Sequence, residues 1–124
     1  MVVQTHTVTF EGVEARMVEV QCAISPGMPG FTIVGLPDKA VSEARERIRA
    51  ALEALSIALP MKKLTINLAP ADLPKEGSHF DLPIALSVLG AIGVVPPERI
   101  ENMVAMGELA LDGRLMPVLG ALPA

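Results

Sequence analysis

The residues best suited to chemistry lie together in one short segment, Lys75 to His79. Acyl transfer by a serine needs a base within hydrogen-bonding distance of the hydroxyl. Ser78 and His79 are consecutive, so their side chains point in different directions and rarely form that pair. Lys75 precedes Ser78 by three positions. An exposed loop lysine has a pKa near about 10.4 and is a poor base. The pattern therefore predicts no catalytic residue and favours an ordinary loop with a loop histidine.

Phosphate-binding glycine motifs do not occur in the sequence. Neither GxxxxGK[ST] nor GxGxxG is present, and these are the loops that cradle ATP and dinucleotide phosphates. Residues 75–78 precede a predicted helix, whose free amides could hold an anion, but a capped loop explains them better. We therefore expect no cofactor and no nucleotide hydrolysis in this chain.

Four cations form a candidate site for a phosphate backbone. Arg45 and Arg49 lie one turn apart on a predicted helix, and Lys62 and Lys63 begin a predicted strand. The whole chain has a net charge of −4, and three phenylalanines are its only aromatic residues. Stacking on bases needs aromatic side chains, and phosphate contacts need cations. We predict at most weak, salt-dependent DNA binding through this patch; the alternative is a solvated helix flank and strand edge.

The composition argues against a structural zinc site, an internal disulfide and a membrane-spanning segment. Cys22 is the single cysteine, and His6 and His79 are the two histidines, too few for a structural zinc site or an internal disulfide. No apolar stretch reaches the roughly 18 residues that a bilayer span needs, and the N-terminus lacks a secretion signal. We expect one cytoplasmic, metal-free domain over residues 1–124, half of whose residues are hydrophobic (51%).

Hydrophobic periodicity predicts the element order β, β, β, α, β, α, β-hairpin. This order predicts an α+β fold with two layers, in which a mixed sheet carries both helices on one face. The first two strands should pair around Glu11-Gly12, and Asp112-Gly113 should form the turn of the last hairpin. The predicted strands cover 2–10, 15–24, 31–36 and 63–70, and the first helix covers 38–56.

Polar residues on the two predicted helices suggest local pairs. Glu43 and Arg47 are spaced i, i+4 on the face opposite the apolar stripe of the first helix, as on a solvated surface. Ser78 and Asp81 precede the second apolar helix at the spacing of a capping arrangement. We therefore predict a solvent-facing pair on the first helix and a side-chain cap on the second.

Three long strings resemble the N-terminal domain of bacterial magnesium-chelatase-like AAA+ ATPases of the ComM/YifB type. They are FTIVGLPDKAVSEARERIRAAL (31–52), LTINLAPADLPKEGSHFDLPIAL (64–86) and GELALDGRLMPV (107–118). The resemblance implies a truncated chain, normally followed by an AAA+ module that uses ATP and magnesium in a homo-hexamer. It also implies DNA branch migration during natural transformation, in the bacterial cytoplasm and without a membrane.

The same domain is similar to the proteolytic domain of Lon and to the second domain of ribosomal protein five of the small subunit. This similarity implies the positions of a degenerate protease site. His79 aligns with the nucleophilic serine of Lon, a shift of one residue would bring Ser78 there, and Leu122 aligns with the catalytic lysine. The resemblance therefore implies a non-catalytic domain serving assembly, DNA guidance or regulation. The alternatives are a Lon-type Ser-Lys peptidase and a stand-alone protein-interaction module.

Overall fold

Apolar residues alternate along four segments and follow helical spacing along two others, and the computed structural model forms strands and helices there. It describes residues 2–116. The elements are β1 (Val2–Glu11), β2 (Glu14–Ser25), β3 (Gly30–Val34), α1 (Asp38–Ala54), β4 (Lys63–Ala69), α2 (Asp81–Ala91), α3 (Pro97–Ile100), β5 (Glu108–Leu109) and β6 (Leu115–Met116).

The main sheet is mixed and has four strands in the order β1-β2-β4-β3. β1 and β2 form an antiparallel hairpin that closes at Glu11 and Glu14, and β2 pairs antiparallel with β4. β3 pairs parallel with β4, which requires a crossover, and α1 forms it. At the free edge of β1, the amide of His6 donates to Met103 O and its carbonyl accepts from Ala105 N–H, which shortens the exposed edge.

The core lies between one face of this sheet and the two long helices. Alternate residues of β2, β3 and β4 are buried, as expected where only one face packs on a core. They form one cluster with α1 and α2, so both helices cover the same face. The largest fully buried members of the cluster are Phe80, Ile48, Leu64, Ile66, Leu68 and Ile84.

The predicted α+β class, the mixed sheet and the placement of both helices on one face are therefore confirmed. The first hairpin turns at Gly12, whose φ of +63° suits glycine. The Asp112-Gly113 hairpin also forms, but β5 and β6 make a separate two-stranded sheet. No helix between residues 2 and 116 is both long and apolar enough to cross a membrane.

Candidate functional site

A groove of about 410 Å³ lies between the first half of α1 and the loop that leads into α2. Its apolar lining comes from Leu36, Pro37, Ala40, Ala44 and Phe80. Both signs of charge line it in equal number: Lys39, Arg47 and Lys75 against Glu43, Glu76 and Asp81. The groove therefore has no net charge that would select an anion or a cation.

A buried ion pair closes one wall of the groove. Arg47 on α1 binds Asp81 on α2 through two bonds, Nε to Oδ2 at 2.6 Å and Nη2 to Oδ1 at 3.1 Å. The Asp81 side chain is 1% exposed and that of Arg47 is 24% exposed. Leu109 N–H also donates to Asp81 Oδ2, at 3.1 Å. One carboxylate thus connects α1, α2 and β5.

The environment of this pair shifts both groups. Burial raises the pKa of the Asp81 carboxyl, and the bonds from Arg47 and from Leu109 N–H lower it again in part. The hydrogen bond to Asp81 raises the pKa of the Arg47 guanidinium, which keeps its charge. Breaking a buried pair from one side leaves an uncompensated charge in the core. The pair is therefore a structural lock whose two members depend on each other.

This lock corrects two predictions. Arg47 is partly buried and binds Asp81, so the predicted solvent-facing pair with Glu43 is wrong. No side chain caps α2, whose N-cap residue is Phe80. The Ser78 carbonyl instead accepts from Asp81 N–H at 3.4 Å, and the Asp81 carboxylate turns toward Arg47. Tertiary partners, absent from the local pattern, outcompete both local arrangements.

Main-chain bonds hold the segment before β5 against the start of α2. Gly107 N–H donates to His79 O at 2.9 Å, and Gly107 O accepts from Leu82 N–H at 3.0 Å. With the bond from Leu109 N–H to Asp81, this brings together residues 31–52, 64–86 and 107–116. The three strings that carry the family resemblance therefore meet at this lock.

Lys75 differs from its prediction as an exposed loop lysine. It is 4% exposed, and its Nζ donates to Pro70 O at 2.7 Å and to Leu73 O at 2.8 Å. Burial lowers the pKa of Lys75, while Asp72 acts in the opposite direction. The ammonium group thus ties the loop to itself.

His79 is buried, against its prediction as an ordinary loop histidine. Its Nε2 lies 2.6 Å from Val8 O, so this nitrogen carries the proton and donates to the carbonyl. The ring packs between Phe10 and Phe80, with centroid distances of 6.1 and 4.2 Å. Ser78 is half-buried and lines the groove.

These positions assemble no catalytic pair among residues 2–116, where no side-chain hydrogen bond joins Ser78 to Lys75 or to His79. Lys75 Nζ and His79 Nε2 instead donate to main-chain carbonyls. Leu122, the position aligned with the catalytic lysine, lies outside the described residues.

The structure groups the predicted basic residues around the start of β3. Arg45 donates from Nη1 to Phe31 O at 3.3 Å, and the Arg49 guanidinium lies 5.7 Å from the centroid of the Phe31 ring. Lys62 and Lys63 are exposed on the neighbouring strand start, where Lys63 pairs with Gly30. Both arginines therefore have contacts within the chain, while the two lysines project into solvent.

Metal binding finds no cluster in the part of the chain that the structure describes. Between residues 2 and 116, no group of three or more His, Cys, Asp or Glu side chains is placed to hold a metal ion. Cys22 is buried in the sheet, and burial raises the pKa of its thiol to about 12. The Cys22 side chain therefore packs in the core, and its thiol is protonated and poorly reactive at neutral pH.

Comparison with known sequences shows one family over most of the chain. The sequence model of the family described as "Subunit ChlI of Mg-chelatase" matches residues 18–124. The matched range includes both members of the Arg47–Asp81 pair and every residue that lines the groove.

Curated relatives match almost the whole chain. The "Competence protein ComM" of Haemophilus influenzae is 48% identical over 113 residues, 91% of this chain and 22% of the relative. The uncharacterized protein YifB of Escherichia coli is 48% identical over 94% of this chain and 23% of the relative. An uncharacterized protein of Mycobacterium tuberculosis is 47% identical over 98% of this chain and 24% of the relative. This chain thus spans about a quarter of the length of each.

Proposed function

This chain belongs to the family described as subunit ChlI of Mg-chelatase, and we propose that it acts as a non-catalytic N-terminal domain of a longer AAA+ ATPase that processes DNA. The domain would serve assembly, DNA guidance or regulation. The name of the competence relative supports the DNA context, and the short share of each relative that the chain covers supports a longer protein. We further propose that this chain has the fold of the Lon proteolytic domain. Its element order of three strands, a helix, a strand and a second helix is consistent with that fold.

One observation carries the non-catalytic role: the residue types of a hydrolase lie near the groove, but among the described residues neither Lys75 nor His79 shares a side-chain hydrogen bond with Ser78. Lys75 would have to leave two carbonyls to reach Ser78, and the imidazole of His79 donates to Val8 O. A serine hydroxyl without a neighbouring base is a weak nucleophile. The Arg47–Asp81 pair also closes one wall of the groove and stabilises one arrangement of α1 and α2.

Active-site labelling tests this role against the Lon-type peptidase. We expect neither labelling by a fluorophosphonate nor cleavage of unfolded casein by the chain. Ser42→Ala on the exposed side of α1 is the matched control. Labelling that is lost in Ser78→Ala and kept in Ser42→Ala would place the protein among the peptidases and refute the proposal.

Nucleotide chemistry belongs elsewhere in this proposal. The residues of this chain do not fit ATP, because the sequence has no phosphate-cradling glycine loop. We propose that the AAA+ module of the longer protein binds ATP and magnesium, forms the homo-hexamer and acts in the cytoplasm. A phosphate-binding loop encoded downstream in the same reading frame would support this, and a stop codon after residue 124 would refute it. Calorimetry of this chain with ATP and magnesium should show no binding.

DNA contact by this domain would be weak and would involve Lys62 and Lys63 more than Arg45 and Arg49. Both arginines already have partners at Phe31, whereas the lysines are free in solvent. Binding to a duplex should therefore fall steeply as salt rises to about 200 mM. Charge reversal at Lys62 and Lys63 should weaken it more than charge reversal at Arg45 and Arg49; the reverse order would contradict this assignment.

A further inference from the structure

The turn of the β1–β2 hairpin projects from the body of the protein and exposes an apolar side chain between two carboxylates. Pairing of β2 with β4 begins at Glu19, so the residues before it have only β1 as a neighbouring strand. Val13 at the turn is 99% exposed, and Glu11 and Glu14 flank it. Arg16 lies 3.5 Å from Glu11 and 3.2 Å from Glu14. The hairpin tip, defined as Glu11, Val13 and Glu14, is therefore apolar at its apex, and its two carboxylates together with Arg16 leave one net negative charge there.

The opposite end of the sheet has the complementary character. The loop before β3 and the loop before β4 meet where Gly30 N–H donates to Lys62 O at 3.4 Å. Met28 and Met61 on these loops are 87% and 81% exposed. Methionine is a soft, adaptable contact residue that is enriched at protein interfaces. The two loops meet beside a groove of about 210 Å³ that is lined by Met61 and other apolar residues and by Arg49.

Charge at this end is positive although the chain as a whole is acidic. Residues 20–37 carry no charged side chain, and residues 54–71 carry only Lys62 and Lys63. Arg49 is the one charged residue among those that line the groove, and Glu53, one helical turn further along α1, lines the adjoining groove. The basic end is defined here as Met28, Arg49, Met61, Lys62 and Lys63.

We propose that the hairpin tip of one copy of this chain docks on the basic end of a second copy. Val13 would enter the apolar groove beside Met61, and the two glutamates would face the lysines. The two surfaces lie at opposite ends of β2, a twelve-residue strand, and are thus separated by about 36 Å. They cannot meet within one copy, so the contact runs head to tail. Repetition of such a contact gives a closed ring or an open filament.

A protein partner suits the basic end better than a nucleic acid. Base stacking needs exposed aromatic rings, and Phe31 and Phe80 are 3% and 1% exposed while Phe10 packs on His79. Phosphate binding would not require two exposed methionines beside an apolar groove. Lys62 and Lys63 are also the lysines of the proposed weak DNA contact, so the two contacts would compete for one surface. The hairpin tip takes part only in the contact between copies, and variants of the tip therefore distinguish the two proposals.

Charge exchange provides the test, with two double variants. The tip variant carries Glu11→Lys and Glu14→Lys, and the end variant carries Lys62→Glu and Lys63→Glu. The native chain should associate in sedimentation velocity at concentrations up to about 1 mM, and more weakly as salt screens the contact. Each double variant alone should associate about tenfold more weakly, because both of its surfaces then carry the same sign.

An equimolar mixture of the two variants should regain association, since each surface then meets an opposite charge. The matched control carries Glu98→Lys and Glu101→Lys, at exposed positions within and directly after α3. This control has the same net charge as the tip variant and should associate like the native chain. Mixing it with the end variant should increase association no more than mixing the native chain with the end variant does. Val13→Ser, which changes no charge, should weaken native association severalfold.

Three outcomes would overturn the proposal: a native chain that stays monomeric, variants that associate like the native chain, or a mixture that gains nothing. A different result would identify the basic end as a phosphate site instead. In that case the native chain would bind a short DNA duplex, the end variant would lose this binding, and the native chain would not self-associate. Melting temperatures of all variants should differ little, because every changed side chain is exposed and the exposed ion pairs of Arg16 with Glu11 and Glu14 contribute little to stability.

Discussion

Replacement of Arg47 by methionine isolates the energetic role of the buried pair. In Arg47→Met, Asp81 loses the bonds from Nε and Nη2 and keeps only the bond from Leu109 N–H. Hydrogen bonds to a charged group contribute about 1.5–3 kcal/mol each, and breaking a buried pair from one side costs about 3–5 kcal/mol. We therefore expect the free energy of unfolding at pH 7 to fall by about 3–5 kcal/mol. This is a large part of the 5–15 kcal/mol typical of a domain.

The pH dependence of this loss distinguishes an unpaired carboxylate from a simple packing defect. Burial already raises the pKa of Asp81 above its unfolded value, and Arg47 opposes that rise. Without Arg47 the folded-state pKa rises further. Protonation of Asp81 then stabilises the folded variant as the pH falls from 7 toward about 4, the unfolded value. The difference in stability between the native chain and Arg47→Met should therefore shrink on acidification.

Denaturant unfolding across this pH range, with two companion variants, completes the measurement. Asp81→Asn should cost less than Arg47→Met, because the Arg47 side chain is 24% exposed and can turn to water. The double variant Arg47→Met with Asp81→Asn should recover most of the loss. A loss below about 1 kcal/mol, within the range of an exposed pair, would refute the buried lock. A gap that widens at low pH, or a double variant no better than Arg47→Met, would do the same.

Three further predictions concern other constrained positions. Gly35→Ala should destabilise the fold by about 2 kcal/mol or more in a melting assay. The φ of Gly35 is +108°, and a Cβ there would lie 2.6 Å from Leu68 O. Gly93→Ala is the control and should cost less, because Gly93 has a φ of +83° but open space around its Cβ position. The Cys22 thiol, with its pKa raised to about 12, should not react with a thiol reagent at pH 8 until the chain unfolds, and rapid reaction would show that the sheet opens. Lys75→Met should leave two loop carbonyls without their donor and lower the free energy of unfolding by about 1–3 kcal/mol. Amide exchange should become faster only in residues 70–80. Because burial lowers the pKa of Lys75, the native chain should gain stability as the pH rises toward 10, and the variant should not.

Sequence periodicity predicts the layers well because each layer is encoded locally. Leu64, Ile66 and Leu68 alternate along β4, and all three are fully buried in the structure. Gly12 and Gly113 mark both hairpin turns, and each has a positive φ. Such signals require no knowledge of distant residues.

The site could not be predicted in the same way, because its bonds join residues that are far apart in the chain. Asp81 lies 34 residues from Arg47 and 28 from Leu109, and His79 lies 71 residues from Val8. The spacing of Arg47 from Glu43 favoured a surface pair, and only the packing of α1 on α2 reveals the stronger partner. One signal was available: Asp81 is the first residue of a helix that is apolar nearly all round, where a carboxylate needs a partner.

The geometry around Lys75 supports the proposed non-catalytic role of the groove. A catalytic lysine must be desolvated and yet free to take a proton from the serine. Lys75 meets the first condition, since burial lowers its pKa, and fails the second, since Pro70 O and Leu73 O hold its ammonium group. Moving the ammonium group away would break the two hydrogen bonds that hold the loop carrying Ser78. The Lys75 ammonium group therefore cannot hold this loop and act as the base for Ser78 at the same time.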